Sequence, residues 1–234
     1  MSSMAPENLQ AEAAGRWERL RRRFDDLETL RQRLDYQTWL LAAAGLVASL
    51  LLGLGDLATR GPIEQRQAED MRATLEQVLP PDLHDNDLLR DVKTVSDTGL
   101  GETRVYLARK NGEVTAVAFK LSATGGYSGP IALVIGLKAD GTVLGVRVVA
   151  HAETPGLGDK IETAKSEWIL SFSGRSLDNT SDERWRVKKD GGDFDQFAGA
   201  TITPRAVVGG VFKGLQFFRR HRTELVPPAT GGQR

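Results

Sequence analysis

The sequence contains no cysteine, which excludes disulfide bonds, zinc–thiolate sites and iron–sulfur clusters held by this chain. Histidine is scarce, because only His84, His151 and His221 occur, and no two of them are spaced for a metal site. Basic and acidic side chains balance at 31 each, so no overall basic field indicates a nucleic acid as partner. The composition predicts a globular protein with no metal ligands and no nucleic-acid partner.

One long apolar run stands near the N-terminus. Residues 39–58 carry a single charge, Asp56, and as a helix they are about one bilayer core long at about 1.5 Å per residue. No polar face precedes Asp56, as a buried core helix would show, and the run begins too far from Met1 for a cleaved signal peptide. We predict an uncleaved transmembrane helix in contact with membrane lipid.

The arginines beside this run predict its orientation. Six precede it and three follow it at comparable distance: Arg19, Arg21, Arg22, Arg23, Arg31 and Arg33, then Arg60, Arg66 and Arg72. Because the flank richer in basic residues stays cytoplasmic, we expect a single pass through the cell inner membrane with the main domain in the periplasm. Residues 1–38 then form a cytoplasmic, arginine-rich amphipathic segment, with apolar residues at spacings of three and four from Trp17 to Leu34. This segment lies on the membrane or on a partner, and a coiled coil is the alternative.

The remaining residues predict an α+β domain, with antiparallel hairpin sheets and flanking helices. Residues 59–81 form a stalk helix that stops at Pro80-Pro81, residues 82–225 form the periplasmic domain, and residues 226–234 form a tail. Two hairpins are expected, 104–121 around Asn111-Gly112 and 131–150 around Asp140-Gly141. A helix is expected over 159–172 and a short strand at Trp185 and Val187. The last helix is expected from Thr203, as N-cap before Pro204, to about Arg222.

Two segments carry an unusual density of small residues. Residues 153–160 (ETPGLGDK) follow a predicted strand, and their proline and glycines allow the main chain to approach a flat ligand closely. Residues 193–204 (DFDQFAGATITP) present Thr201 just before a helix N-terminus, where free N–H groups and the helix dipole favour a phosphate. From the residues alone, a plain connector loop and a capped helix are the simpler explanation of these segments.

Three motifs together resemble a known family. Residues 126–130 (GYSGP), 153–160 and 195–204 are similar to the signature of the FMN-binding domain in the G subunit of the Rnf ion-translocating electron-transport complex. The C subunit of the sodium-pumping NADH:quinone oxidoreductase is related. In that family a transferase takes FMN from FAD and esterifies it to the last threonine of a Ser/Thr-Gly-Ala-Thr motif, which is Thr201 here. Ala198 stands at the first position of this motif.

The resemblance implies a covalent FMN and an electron relay. It implies that the FMN transferase is a partner during maturation. It also implies that the other membrane subunits of the electron-transport complex are partners. Thr154 and Leu157 are the expected ring contacts, Lys160 faces reduced flavin or solvent, and Asp195 is the acid of the motif. No catalytic residue is predicted. The predicted cofactor-binding residues are Thr201, Gly199, Ala200, Thr203, Asp195, Glu153, Thr154, Pro155, Gly156, Leu157, Gly158, Lys160 and Tyr127.

Other functions remain open at this point. The alternatives to an electron relay are a membrane-anchored FMN-binding sensor or scaffold, a C-type subunit of a sodium-pumping quinone reductase, and an autonomous flavin reductase. The reductase is disfavoured because the sequence has no G-x-G-x-x-G fingerprint for a nicotinamide cofactor. Tyr127, Trp168 and Trp185 are candidates to pack on the ring, although core packing is the commoner use of such residues.

Overall fold

The computed structural model describes the backbone of residues 7–227 and the side chains of residues 35–227. The chain divides into two compact units, residues 1–64 and residues 65–234. The first helix, α1 (Glu7–Val78), supplies most of the first unit and the start of the second, and Pro62 lies inside it. The amphipathic face predicted between Trp17 and Leu34 falls on side chains outside the described residues.

The first unit exposes its apolar side chains. Trp39 is 77% exposed and Leu41 is 73% exposed, and none of the most apolar part of the helix is buried. Within the described residues, α1 is the one helix long and apolar enough to cross a membrane. Asp56, the charge near the end of the apolar run, pairs with Arg60 one turn later at 2.5 Å. A helix that is apolar on all sides fits a hydrocarbon environment.

The second unit is built on one antiparallel sheet, which confirms the predicted α+β class. Its five strands lie side by side in chain order: β1 (Val92–Asp97), β2 (Gly101–Lys110), β3 (Glu113–Ala123), β4 (Ile131–Lys138) and β5 (Val143–Ala150). Helix α2 (Ile202–Leu225) closes the domain. The segment between β5 and α2 contains only short 3₁₀ helices, Gly158–Ile161, Glu167–Phe172, Asp182–Arg184 and Lys188–Asp190, and a further one, Pro81–Leu83, precedes β1.

Both predicted hairpins are confirmed. Asn111 and Gly112 connect β2 to β3 with φ of 55° and 86°, the backbone that a two-residue hairpin turn of this type demands. The β4–β5 connection also places its glycine, Gly141, at positive φ. Strand β1 was not predicted, because Val92 and Val95 are its only apolar residues and its register is fixed only by pairing with β2.

The sheet is covered on both faces, which explains the continuous burial along its central strands. In β3, Val117 and Phe119 point into the core shared with α2, whereas Ala116 and Ala118 point into a second cluster with Leu75. Alternate residues of a strand face opposite sides, so β3 needs large side chains beneath α2 and small ones beneath the 65–79 segment. The apolar residues that recur at spacings of three and four along α2, Val207, Val211, Leu215 and Phe218, are all buried.

Several element predictions were wrong. Residues 159–172 form two 3₁₀ turns instead of one helix, because Glu162 adopts an extended backbone that interrupts it and Ser166 starts a new turn by accepting from the Trp168 N–H. Trp185 and Val187, which were expected in a short strand, lie between two 3₁₀ helices, and Val187 forms only an isolated bridge to Phe194. Helix α1 ends at Val78, two residues before the Pro80-Pro81 pair at which the stalk helix was predicted to stop.

The start of the last helix also differs from the prediction. Helix α2 has Thr201 as N-cap, so Thr203 lies inside the first turn, and the helix continues to Leu225. Proline tolerates any position in the first turn, because the N–H groups there have no intrahelical partner. Pro204 is therefore compatible with a start one or two residues before it. The sequence pattern alone could not choose between the two threonines.

Candidate functional site

An open cavity of about 610 Å³ collects most of the predicted cofactor-binding residues. Its volume lies inside the range of about 300–1,000 Å³ that is typical of ligand sites. Nine of the thirteen predicted residues line it: Tyr127, Glu153, Thr154, Leu157, Gly158, Gly199, Ala200, Thr201 and Thr203. One lining residue, Ile202, was not predicted. Sequence segments up to 76 positions apart, from Tyr127 to Thr203, therefore meet at one site.

Three connections of the domain build this cavity. The first joins β3 to β4 and carries Tyr127, the second follows β5 and carries residues 153–158, and the third leads into α2 and carries residues 199–203. The β3–β4 and β5 connections leave the same end of the sheet, because neighbouring antiparallel strands place alternate connections together. Helix α2 packs across β3 and β4 and brings its N-terminus to that end.

A buried carboxylate ties the three connections together. Glu153 is 5% exposed, and its Oε1 accepts from the Ser128 backbone N–H at 3.2 Å. Its Oε2 accepts from the Thr203 hydroxyl, which is 1% exposed. A carboxylate in a dry environment needs donors for its oxygens, and here both come from the neighbouring connections. Glu153 is thus a structural clamp within the cavity wall, a role that its placement in a loop did not predict.

His151 hydrogen-bonds to the backbone of Glu153 and to the side chain of Glu162. The backbone N–H of Glu153 donates to His151 Nδ1 at 3.0 Å, and His151 Nε2 lies 2.6 Å from Glu162 Oε1. Because Nδ1 accepts, the ring hydrogen is assigned to Nε2, which donates to Glu162. His151 belonged to no motif in the sequence, so its only signal was its position two residues before Glu153.

Two glycines are required by close approach around Glu153. A Cβ added to Gly158 would lie 2.9 Å from Glu153 Cβ, Glu153 Oε2 and Thr203 Oγ1. A Cβ added to Gly126 would lie 2.3 Å from the Gly129 carbonyl oxygen and 2.8 Å from Glu153 Oε1. All these separations are shorter than carbon and oxygen atoms tolerate. The glycines at these places in the two motifs make room for the clamp.

The two threonines of the last motif have different environments. Thr201, the N-cap of α2, is half-buried on the cavity wall, and its side chain makes no capping hydrogen bond. Thr203 is engaged with Glu153. The first turn of α2 contains no acidic residue, so the positive end of the helix is not neutralised from within the helix. An anion attached to Thr201 would lie at this end.

Four predicted residues lie outside the cavity lining. Pro155, Gly156 and Lys160 are exposed on the 153–160 loop, and their predicted roles stay predictions. Asp195 is exposed, pairs with Lys188 at 2.6 Å, and accepts the Trp168 indole N–H on its backbone carbonyl at 2.8 Å. Its side chain is thus on the surface of the segment that leads to Thr201.

The charges beside the start of α2 are paired. Arg205 makes two hydrogen bonds to Asp190, at 2.6 and 2.7 Å, and this contact holds the pKa of the Asp190 carboxyl below its usual range. Asp193 accepts from Arg175 at 2.9 Å, which lowers its pKa in the same way. These pairs fasten the 182–195 segment to α2 and to the loop after the Glu167–Phe172 turn. The described residues contain no cluster of three or more acids and histidines placed for a metal ion.

The aromatic residues divide between core and cavity. Trp185 is 3% exposed, and Trp168 packs edge-on against Phe172 and Phe197, so both serve the core as sequence reasoning favoured. Tyr127 is 71% exposed and lines the cavity. With Leu157 at 43% and Ile202 at 46%, it gives the open side of the cavity an apolar rim. Such a rim fits a flat, partly apolar ligand.

Comparison with known proteins agrees with this geometry. The model of a family described as FMN-binding domain matches residues 126–216, which include the whole cavity lining. The G subunit of an ion-translocating oxidoreductase complex from Cereibacter sphaeroides is 55% identical, covering 81% of this chain and 86% of the relative. The corresponding G subunits from Stutzerimonas stutzeri and Vibrio cholerae are 50% and 43% identical, covering 84% and 80% of this chain and 86% and 90% of the relatives.

The chain belongs to the G-subunit family of ion-translocating oxidoreductase complexes. Both the match to the FMN-binding family and the residues that line the cavity are compatible with FMN. The cavity of this family member offers the positive end of a helix at Thr201 for a phosphate and an apolar rim for the rings. The family assignment from the three motifs is thus confirmed, whereas the individual contact residues stay predictions.

Proposed function

We propose that this chain is the electron-relay subunit of a membrane-bound, ion-translocating oxidoreductase complex and that it carries FMN as a phosphoester on Thr201. The observation that carries the proposal is the meeting of Thr201, the 153–158 loop and Tyr127 on one cavity at the N-terminus of α2. The relatives are named as complex subunits, and the chain shows no nicotinamide fingerprint of its own. A relay therefore fits better than a sensor or an autonomous reductase.

The attachment step conserves atoms without an added oxidant or reductant. The Thr201 hydroxyl oxygen attacks the FMN-side phosphorus of FAD, the bond between the two phosphates breaks, and AMP and the hydroxyl proton leave. A flavin transferase supplies the site for this step, so the chain itself needs only an accessible hydroxyl. Thr201 provides one, because it lies on the cavity wall with no capping hydrogen bond.

FMN supplies one- and two-electron transfer when bound, and the protein positions it. Thr201 fixes the phosphate end beside the N-terminus of α2, which favours the negative charge. Leu157, Ile202 and Tyr127, the apolar rim of the cavity, would cover part of the flat ring system and keep water from it. A covalent ester prevents loss of the cofactor from a domain that faces the periplasm.

The apolar stretch of α1 is the proposed membrane anchor. The exposed apolar stretch of α1 spans the membrane in contact with lipid, with the arginine-rich N-terminal segment in the cytoplasm and the FMN-binding domain in the periplasm. The other membrane subunits of the complex deliver and receive the electrons. Detergent extraction should therefore recover this chain together with them.

Fluorescence on a denaturing gel tests the attachment. Protein exported from cells that contain the flavin transferase should give a fluorescent band, because an ester survives unfolding and a bound cofactor does not. Thr201→Ala should abolish the band and Thr201→Ser should keep it, since serine retains the hydroxyl. Thr223→Ala, an exposed change at the far end of α2, is the matched control. A band of full intensity in the Thr201→Ala protein would refute the proposed attachment site.

A further inference from the structure

Two threonines line the cavity only two residues apart, and both are hydroxyls that a transferase could modify. Thr201 is half-buried, whereas Thr203 is 1% exposed and donates its hydroxyl hydrogen to Glu153 Oε2. Residue type does not distinguish them, and the choice of Thr201 from the sequence rests on the family motif alone. The difference between the two hydroxyls comes from a residue 50 positions earlier in the chain.

We infer that Glu153 is the specificity-determining residue for modification of this motif, because it withholds Thr203 and leaves Thr201 as the acceptor. This inference rests on the proposed attachment of FMN through a phosphoester. His151 is the positioning residue for Glu153, since it accepts the Glu153 backbone N–H on one ring nitrogen and is anchored to Glu162 through the other. The three residues and Thr203 form one continuous hydrogen-bonded series.

Two physical effects make Thr203 a poor acceptor. Transfer to phosphorus needs the attacking and leaving oxygens roughly in line, and a 1% exposed residue offers no such approach. The carboxylate beside Thr203 also repels the negatively charged pyrophosphate of FAD, and repulsion between like charges grows as water is excluded. Thr201 is half-buried and faces the open cavity, so the restriction on approach does not apply to it, and the positive end of α2 beside it favours the pyrophosphate.

Glu153→Gln tests the inference with little change of shape. An amide nitrogen cannot accept the Thr203 hydroxyl hydrogen, and the negative charge is removed. A hydrogen bond to a charged group contributes about 1.5–3 kcal/mol, so the ratio of flavin on Thr203 to flavin on Thr201 should rise about tenfold or more. Glu113→Gln makes the same chemical change at the exposed β2–β3 hairpin and should leave the ratio unchanged.

The measurement is peptide mapping by mass spectrometry after incubation of the full chain with the transferase and FAD. Trypsin releases residues 190–205 as one peptide, and fragmentation between Thr201 and Thr203 locates the flavin. In a Thr201→Ala background the wild-type Glu153 protein should carry no flavin. The Thr201→Ala/Glu153→Gln protein should carry flavin on Thr203.

A second pair of variants separates positioning from general destabilisation. His151→Asn keeps an oxygen that accepts the N–H two residues later, as asparagine commonly does in turns, whereas His151→Leu does not. His151→Leu should raise the Thr203-to-Thr201 ratio in the direction of Glu153→Gln, and His151→Asn should stay near the wild-type ratio. Thermal unfolding of each variant shows that the proteins compared are folded.

The outcomes are distinguishable. Flavin on Thr203 in the Glu153→Gln protein supports the inference. Flavin only on Thr201 in a folded Glu153→Gln protein, at full or reduced yield, overturns it and leaves the proposed attachment intact. Wild-type protein without covalent flavin in the presence of the transferase would instead refute the proposed function.

Discussion

Adding one methyl group at Gly158 should destabilise the FMN-binding domain and disturb its cavity. The Cβ of Gly158→Ala would lie 2.9 Å from three atoms, Glu153 Cβ, Glu153 Oε2 and Thr203 Oγ1. Gly158 does not have positive φ, so alanine is permitted by the backbone and the whole effect arises from contact. Glu153 and Thr203 must therefore move apart from the loop or from each other.

The magnitude follows from the number and rigidity of these contacts. Extra methyl groups forced into a packed site cost about 1–3 kcal/mol. We expect the upper half of that range, because Glu153 is held by Ser128 and His151 and cannot swing aside without losing those hydrogen bonds. For a domain of this size, about 1 kcal/mol corresponds to a melting temperature change of roughly 2–4 °C. Gly158→Ala should lower the melting temperature by about 4–12 °C.

The assay compares Gly158→Ala with the same substitution at Gly209. Gly209 lies inside α2, and an added Cβ there meets nothing within 4 Å, so alanine should stabilise the helix by about 0.5–1 kcal/mol. Calorimetry should show a lower stability for Gly158→Ala and a higher stability for Gly209→Ala. Flavin absorbance should be perturbed only in the Gly158→Ala protein. An unchanged melting temperature and spectrum for Gly158→Ala would refute the account of the clamp.

Further predictions concern other parts of the chain. The Asp97 side chain is 4% exposed and accepts from Arg220 and His221, and the Arg220 contact holds its pKa well below the usual range. As the pH falls, Asp97 binds a proton in the unfolded chain before it does so in the folded protein. The stabilisation by the Asp97 contacts is therefore present above about pH 4, the ordinary pKa of an aspartate, and is lost progressively below it. Asp97→Asn should flatten acid unfolding profiles there and cost about 2 kcal/mol at neutral pH. Leu157→Asp should shift flavin absorbance or potential while leaving attachment at Thr201 intact, because Leu157 lines the cavity. An unchanged spectrum and potential would exclude ring contact by Leu157. Protease added to intact spheroplasts should degrade the C-terminal domain, and protection of that domain would reverse the proposed topology.

Local sequence chemistry determined much of this protein. The apolar run at 39–58, with its single charge at Asp56, predicts a membrane helix from length and hydrophobicity alone, because no tertiary contact is needed for that choice. Asn111-Gly112 determined the first hairpin in the same way, since few residue pairs accept its backbone. The three short motifs identified the family because their combination is specific.

The tertiary structure decided what local patterns left open. A helix and two 3₁₀ turns compete within 159–172, and the choice depends on where Ile161 and Phe172 find buried contacts. The environment of Thr203 depends on Glu153, which reaches its hydroxyl only because β5 and α2 place their ends together. Burial, pairing and access are properties of neighbours in space, and the clamp lies 50 positions before the hydroxyl it holds. For that reason the family resemblance pointed to Thr201 from the sequence, whereas the different environments of Thr201 and Thr203 are visible only in the fold.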